Sequence, residues 1–566
     1  MNGILNRVPG LCLIGALMIL SVARAQWPAD PAVNLVLSDN SGAQTITKIV
    51  PASDGGCYVS WWDNTSGNYD MYLQRLNGNG EIQWQENGLL ISNHPQETWL
   101  TDYDLAVDSA DYAIIALNDI RAGGDWDIYG YRISPTGEFA WGPDGLTISD
   151  NAGFEPDPQV LVTTAGNIVF AWQEDDVVHI RKVTSEGADF WDPAIITLTS
   201  TYPLSIPRLA QADNDCFILQ FLVAQGPNYY SPKHLYAHKL DADGNELWGS
   251  SGVAVTTAGG FGPQMRPEIV TDSRDGAYSY WYDSRNNVLH AYAQHISSNG
   301  AMLWTANGVV VSTTANELQM NPSLVHHSLS GDVMLFYENT DYNQTVIGVY
   351  GQRIDSTGAR QWGNGGRALV PMSNQARLLV RACPLEDGAV ATYLENFPGS
   401  VVNSSVNAVR VDAFGNPAWD PSAIFMSTVV SGKGYLASCI NHRGQVISAW
   451  QDNRSDPDGD AYLQNINPDG SFGSIGPPPC SYVPGDINNN GDANGVDVGY
   501  GVNYFKGFGP EPPVSCDCPP HGMLFVAGDV NGNCVFNGVD ITYFVSYLRD
   551  IGPPLLYCPD CPPRGR

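Results

Sequence analysis

Between residues 26 and 474 the apolar positions fall into short runs that come back in a fixed order. One unit shows the pattern. Residues 105–108 are apolar, 109–111 are a polar turn, and 112–117 are a second apolar run ending at Asn118-Asp119. A loop at 121–125 leads into the alternating segment 127–132, and 138–148 holds a tryptophan and a fourth run. Length, β-branched and aromatic content and turn punctuation mark these runs as strands. No segment of this region keeps a helical period.

The punctuation is itself periodic. A turn glycine precedes a tryptophan by four residues at Gly80/Trp84, Gly137/Trp141, Gly187/Trp191, Gly244/Trp248, Gly300/Trp304, Gly358/Trp362 and Gly415/Trp419. Successive tryptophans lie 57, 50, 57, 56, 58 and 57 residues apart, and an eighth copy at Gly470 lacks the tryptophan. So steady a period is the mark of a repeat architecture. One small four-stranded sheet per unit cannot form its own core, which argues against a row of separate sandwiches. Radial stacking of the sheets solves the problem. The expected fold is therefore an all-β propeller of four-stranded blades, with each tryptophan anchoring one blade to the next.

Residues 33–38 match the fourth run of a unit (compare 88–92), whereas 434–470 hold only three clear runs. The N-terminal strand is thus expected to complete the last blade and close the ring. This gives eight blades. Seven is the competing count, because the fourth unit is irregular around 225–233. The region resembles bacterial secreted propeller repeats that run Trp-x-Asp, a loop, Asp-x-Tyr, then Gly-x-x-x-Trp. That resemblance implies the fold and leaves the function open.

Composition adds a compartment. Arg7, the apolar stretch 11–22 and Ala23-Arg24-Ala25 form an expected secretory leader over residues 1–25. No other long apolar run suggests a membrane span. Over 566 residues the formal charge is −32, from 59 acidic and 27 basic residues. Such acidity argues against nucleic acid as a partner and suits cation binding. Cys57, Cys216, Cys383 and Cys439 read as buried strand thiols. Cys480, Cys516, Cys518, Cys534, Cys558 and Cys561 crowd the end and read as disulfides in an unassigned pairing, with a metal site as the alternative.

Candidate chemistry on the propeller is thin. Asp63, Asp119, Glu174, Asp283, Glu395 and Asp452 recur at the end of the second strand, and Arg121, Arg285 and Arg454 follow three of them by two residues. Six carboxylates on one rim are a possible site for a cation or a sugar. The plainer alternative is a turn cap paired locally with arginine. The loop 452–460 packs Asp452, Asp456, Asp458 and Asp460 together without the order of a calcium loop. His326 and His327 lack partners at zinc spacing, and no Gly-x-Ser-x-Gly elbow exists. No catalytic residue is nominated.

Residues 475–484 read as a proline-stiffened linker. Beyond it, 485–497 and 528–540 are copies at an offset of 43. Oxygen side chains stand at loop positions 1, 3, 5, 9 and 12: Asp486, Asn488, Asn490, Asn494 and Asp497, then Asp529, Asn531, Asn533, Asn537 and Asp540. Calcium needs six to eight oxygens, which alternate residues of a tight loop supply, with carbonyls at Asp492 and Val535 as further ligands. A helix is expected after each loop, at 498–506 and 541–549, ended by Gly507 and by Gly-Pro pairs.

This doublet resembles a type I dockerin, the calcium-binding module that docks exported proteins onto cohesin domains. The resemblance covers residues 484–553 within a module spanning 485–566. It implies that Gly495-Val496 and Gly538-Val539 carry partner specificity, and identical pairs imply that either copy can dock. Cys534 departs from the pattern, since position 6 favours glycine, and the second site is expected to be weakened. A purely structural calcium clip is the alternative. The sequence therefore supports an exported attachment protein with a glycan- or protein-binding propeller. A dockerin-borne glycoside hydrolase or lyase is a second reading, and a purely structural surface protein a third.

Overall fold

A computed structural model describes residues 26–96, 102–228, 230–258, 260–262, 265–327, 330–474, 482–518, 521–549, 551–558 and 561. The expected leader, most of the expected linker and Cys480 lie outside the described residues.

The repeat region is all β. Its first sheet pairs Gln44–Pro51, Cys57–Asp63, Asp70–Leu76 and Leu89–Ser92 in sequence order, every pair antiparallel. Five more four-stranded sheets of the same order span 104–149, 159–198, 204–256, 268–310 and 317–373. The fourth unit, irregular in sequence, is a complete sheet, and its odd residues 225–232 lie between its second strand and its third, which begins at Lys233.

The last sheet has seven strands, because one long strand, Ala423–Ile440, serves twice. Its first half pairs with Asn403–Asp412 and its second half with Val446–Asp452. The N-terminal strand Leu35–Ser38 then pairs with Asp460–Ile466 and supplies the missing fourth strand. The first strands of most successive sheets pack side by side, Glu317–His327 meets the second and third strands of the fifth sheet, and Gln44–Pro51 packs on Ala423–Ile440, so the circuit closes. This is propeller-like stacking. The two middle strands of each sheet hold most of its buried residues; in the first sheet all of Cys57–Asp63 is buried, and in the closing sheet all of Asp460–Ile466. Cys57, Cys216, Cys383 and Cys439 are free and buried, as expected.

The joints explain the period. Each repeat tryptophan donates its indole N–H to a carbonyl in the glycine turn of the next sheet: Trp84 to Pro135, Trp141 to Ser185, Trp191 to Ala242, Trp248 to Ser298, Trp304 to Ser356, Trp362 to Ala413 and Trp419 to Pro468. The glycine is needed there because the ring lies over it. A Cβ on Gly300, whose φ is +83°, would come within 2.9 Å of the Trp248 indole. The copy without a tryptophan, at Gly470, leaves one joint unaccounted for. Trp27 fills it from outside the repeats: its indole N–H donates to Gly78 O at 3.2 Å and its ring covers Gly80.

The C-terminal module carries two helices, α1 (Gly495–Phe505) and α2 (Gly538–Leu548). Both start three residues earlier than the sequence suggests. Asn494 and Asn537 are N-caps, and Asp497 and Asp540 complete capping boxes, so Gly-Val becomes part of the first turn in each copy. Disulfides join Cys518 to Cys561 and Cys534 to Cys558, and Cys516 is disulfide-bonded too.

Candidate functional site

The twin loops before α1 and α2 share one hydrogen-bond scheme. In the first, Asp486 accepts from the backbone N–H of Asn490 and Gly491, both at 2.9 Å. Asp497 reaches back to the N–H of Asn488 and Asn494, both at 3.0 Å. Asn488 and Asn490 accept from residues two further on. In the second, Asp529 accepts from Gly532, Asn533 and Cys534, and Asp540 from Asn531 and Asn537. Asn531, Asn533 and Asn537 repeat the two-residue pattern.

Cys534 does not spoil this turn. Its φ of +61° lies in the left-handed region, as does the +97° of Gly491, and its N–H makes the equivalent bond to Asp529 at 2.9 Å. The cost of a Cβ there is borne by a residue fixed through its sulfur to Cys558.

All four aspartates are buried, yet among the described residues none is paired with lysine or arginine. Burial raises the carboxyls of both Asp529 and Asp540, and Asp529 adds to the rise at Asp540. Two buried acids and a set of amide oxygens in one tight loop is the donor chemistry of a hard divalent cation. Val496 and Val539 are exposed, at 63% and 61%, and present matching apolar spots on the first turns. His521, Cys534 and Cys558 also cluster, but the two sulfurs are bonded to each other and offer no thiolate ligand.

The recurring propeller acids turn inward to local partners. Asp119, Asp283 and Asp452 are buried and gripped by Arg121, Arg285 and Arg454 at 2.5, 2.5 and 2.6 Å. Asp63 accepts from Asn40 and from Thr65. Glu174 meets His179 at 2.7 Å, and Glu395 meets Arg377 at 3.1 Å. Burial works against the charge on Asp452, but Arg454 and Lys433 hold it below the usual carboxylate range. In the fourth and sixth sheets, register places Val223 and Asn339 at the equivalent position. These carboxylates serve strand ends and turns. Nothing in their partners makes them one open site. In the loop 452–460, Asp456 accepts from Gly42, whereas Asp460 is buried with neither carboxyl oxygen hydrogen-bonded among the described residues, and its carboxyl is pushed up to about 6, first by burial and then by Asp456.

The sequence pattern does not show what the first strands do. In five of the eight, a β-bulge follows a residue forced into left-handed backbone: Ile46, Ile206, Asn321, Leu379 and Tyr435, with φ of 49–56°. Two residues on, the side chains at equivalent register around the circuit are Lys48, Asp104, Gln159, Arg208, Glu268, Ser323, Arg381 and Ala437. Ion pairs link neighbours, Lys48 with Asp102 and Asp104 at 3.1 and 3.8 Å, and Arg208 with Glu268 at 3.1 Å. Glu338 is buried nearby, accepting from Asn321 and Leu379, and burial pushes its carboxyl up to about 7. Beside this ring, between the third, fourth and fifth sheets, lies a cavity of about 300 Å³.

The chain matches no protein-family model and no curated protein. Solved structures resemble it at a distance. An ulvan lyase of a new polysaccharide lyase family, bound to -[GlcA(1-4)Rha3S]-, is 11% identical with a TM-score of 0.40, over 79% of this chain and 97% of that one. A lectin from Burkholderia pseudomallei is 11% identical with a TM-score of 0.42, over 66% and 98%. The α-L-arabinanase of Penicillium chrysogenum with arabinobiose is 12% identical with a TM-score of 0.31, over 55% and 92%. At those values the likenesses transfer neither an activity nor a residue.

Proposed function

We propose that this chain is an exported, polysaccharide-directed protein built as an eight-bladed propeller, with a C-terminal dockerin-like module that binds Ca2+ and docks onto a cohesin-type scaffold or a cell surface. The observation that carries the reading is the pair of matching loop schemes, each burying two aspartates that pair with no lysine or arginine among the described residues. Asp486, Asn488, Asn490, Asn494 and Asp497 would hold one ion, and Asp529, Asn531, Asn533, Asn537 and Asp540 the other, with Asp492 and Val535 contributing through the backbone. The ion would neutralise the buried charge and couple binding to folding of the module. Gly495-Val496 and Gly538-Val539 are the proposed contact with the partner. The disulfides are in keeping with an oxidising compartment.

Two ways of acting on a polysaccharide fit this layout. Degradation, as a hydrolase or lyase, is the first to test, because dockerin-like tails ride on such enzymes. Non-catalytic holding is the second. Glu155 and Glu338 are each pushed up to about 7 by burial, the property a general acid needs, but both are fully enclosed and neither is assigned a catalytic role. Differential scanning calorimetry with and without chelator tests the metal. Asp497→Ala combined with Asp540→Ala should leave a C-terminal transition indifferent to Ca2+, and an unchanged Ca2+-dependent transition in that variant would refute the assignment. Release of reducing sugar, or of unsaturated ends, from a polysaccharide panel separates cleavage from holding.

A further inference from the structure

The fourth sheet breaks the repeat where the cavity lies. Its loop after the second strand, 225–232, is closed by Gln225 N–H donating to Pro232 O at 2.8 Å and by Ser231 N–H to Asn228 O. Pro227 and Asn228 of this loop form one wall. Asp175 and Asp176, from the corresponding loop of the third sheet, form another, and Phe154, Asp157 and Arg266 come from the connections between sheets. Pro227, Asn228 and Lys233, from the segment that disturbs the sequence period, thus line a partly open cavity.

The chemistry of the walls is mixed in a particular way. Phe154 is 51% exposed and is backed by Trp126, ring centroid to ring centroid 4.9 Å, so it is a supported aromatic face open to solvent. Pro156, Pro203 and Pro227 extend the apolar surface. Against them stand hydrogen-bonding groups. Asp175, Asp176 and Asn228 are exposed, and Arg266 is held by Asp157 at 3.1 Å, leaving the rest of its donor fork available. Asp157 also accepts from Asp102 N–H at 3.3 Å, which ties the cavity to the ring. A pyranose has this double character: axial C–H groups make an apolar face, and equatorial hydroxyls donate and accept at the edge. Apolar lining with a few placed polar groups is the general form of a small-molecule site, and about 300 Å³ is its lower size limit.

We propose that this cavity binds a neutral sugar unit of a polysaccharide, with Phe154 as the stacking face and Asp175, Asp176, Asn228 and Arg266 addressing hydroxyls. The proposal deepens the polysaccharide reading above and rests on it. Neutrality follows from the charges. Three aspartates outnumber the two cations, Arg266 and the buried Lys233, and a chain of formal charge −32 repels polyanions at long range.

The test is isothermal titration of the full chain with cello-, manno-, xylo- and arabino-hexaoses and with polygalacturonate. At least one neutral oligosaccharide should bind, and Phe154→Ala should weaken it roughly tenfold with an unchanged melting profile. Phe414→Ala, which removes a 70% exposed ring from a turn outside the cavity, should leave it unchanged. Binding that survives Phe154→Ala overturns this site but spares the polysaccharide reading. Binding of polygalacturonate alone overturns the assignment to neutral sugars. Binding of none of the probes counts against both.

Discussion

Trp27 offers the sharpest test of ring closure, because it belongs to no repeat. Its side chain is 4% exposed, packed over Gly80 and hydrogen-bonded to Gly78 O. Trp248, inside a repeat, is 8% exposed and makes the same bond to Ser298. If the two joints are equivalent, their truncations should cost the same. Replacing a buried tryptophan by alanine costs about 3–5 kcal/mol, the sum of lost transfer energy and a residual cavity. Trp27→Ala and Trp248→Ala should therefore both fall in that range in urea unfolding. Trp27→Phe, which keeps most of the apolar area but loses the N–H donor, should cost about 1 kcal/mol from the bond. Hydrogen exchange adds a local readout. In Trp27→Ala the amides of Leu35–Ser38 and Asp460–Ile466 should lose protection before those of the third sheet, because the pairing of these strands lies beside the weakened joint. A Trp27→Ala variant within about 0.5 kcal/mol of wild type, alongside a Trp248→Ala variant that loses several, would refute the equivalence.

The remaining predictions concern charge. Glu338 has a folded pKa of about 7 against an ordinary 4.5, so the folded state holds a proton that the unfolded state releases. Its contribution is complete below pH 4.5 and is lost as pH rises to about 7, a change of about 3 kcal/mol. Glu338→Gln should thus become more stable relative to wild type over that window, and parallel stability–pH curves for the two proteins would refute the assignment. Arg121→Ala leaves the Asp119 carboxylate buried and unpaired and removes the guanidinium 3.6 Å over the Tyr129 ring. It should cost about 3–5 kcal/mol, with Asp119→Asn in the same background restoring part of the loss in thermal melts. An Arg121→Ala protein that unfolds like wild type would show that the pair contributes nothing.

The sequence carried the local rules in full. The alternation of short runs, the glycine four residues before a tryptophan, and the missing fourth run of the last unit are all one-dimensional signals, because strands, turns and a period are properties of neighbouring residues. They led to sheets of four strands and to closure by residues 33–38. The doubled Asp–Asn segments and the helices after them were legible for the same reason, since each copy is one contiguous segment; the helix starts were misplaced, the capping asparagine lying earlier than the apolar pattern. What depends on residues far apart was not legible. Trp27 reads as an isolated aromatic until Gly80 is brought beneath it. The recurring acids look like a shared rim until burial shows each committed to its own arginine, histidine or turn. The bulges at Ile46, Ile206 and Leu379 put bulky residues into left-handed backbone, which no propensity favours and only the packed ring imposes. The irregular 225–233 segment, a reason to doubt the blade count in one dimension, becomes a cavity wall in three, because only the neighbouring sheets supply the other walls.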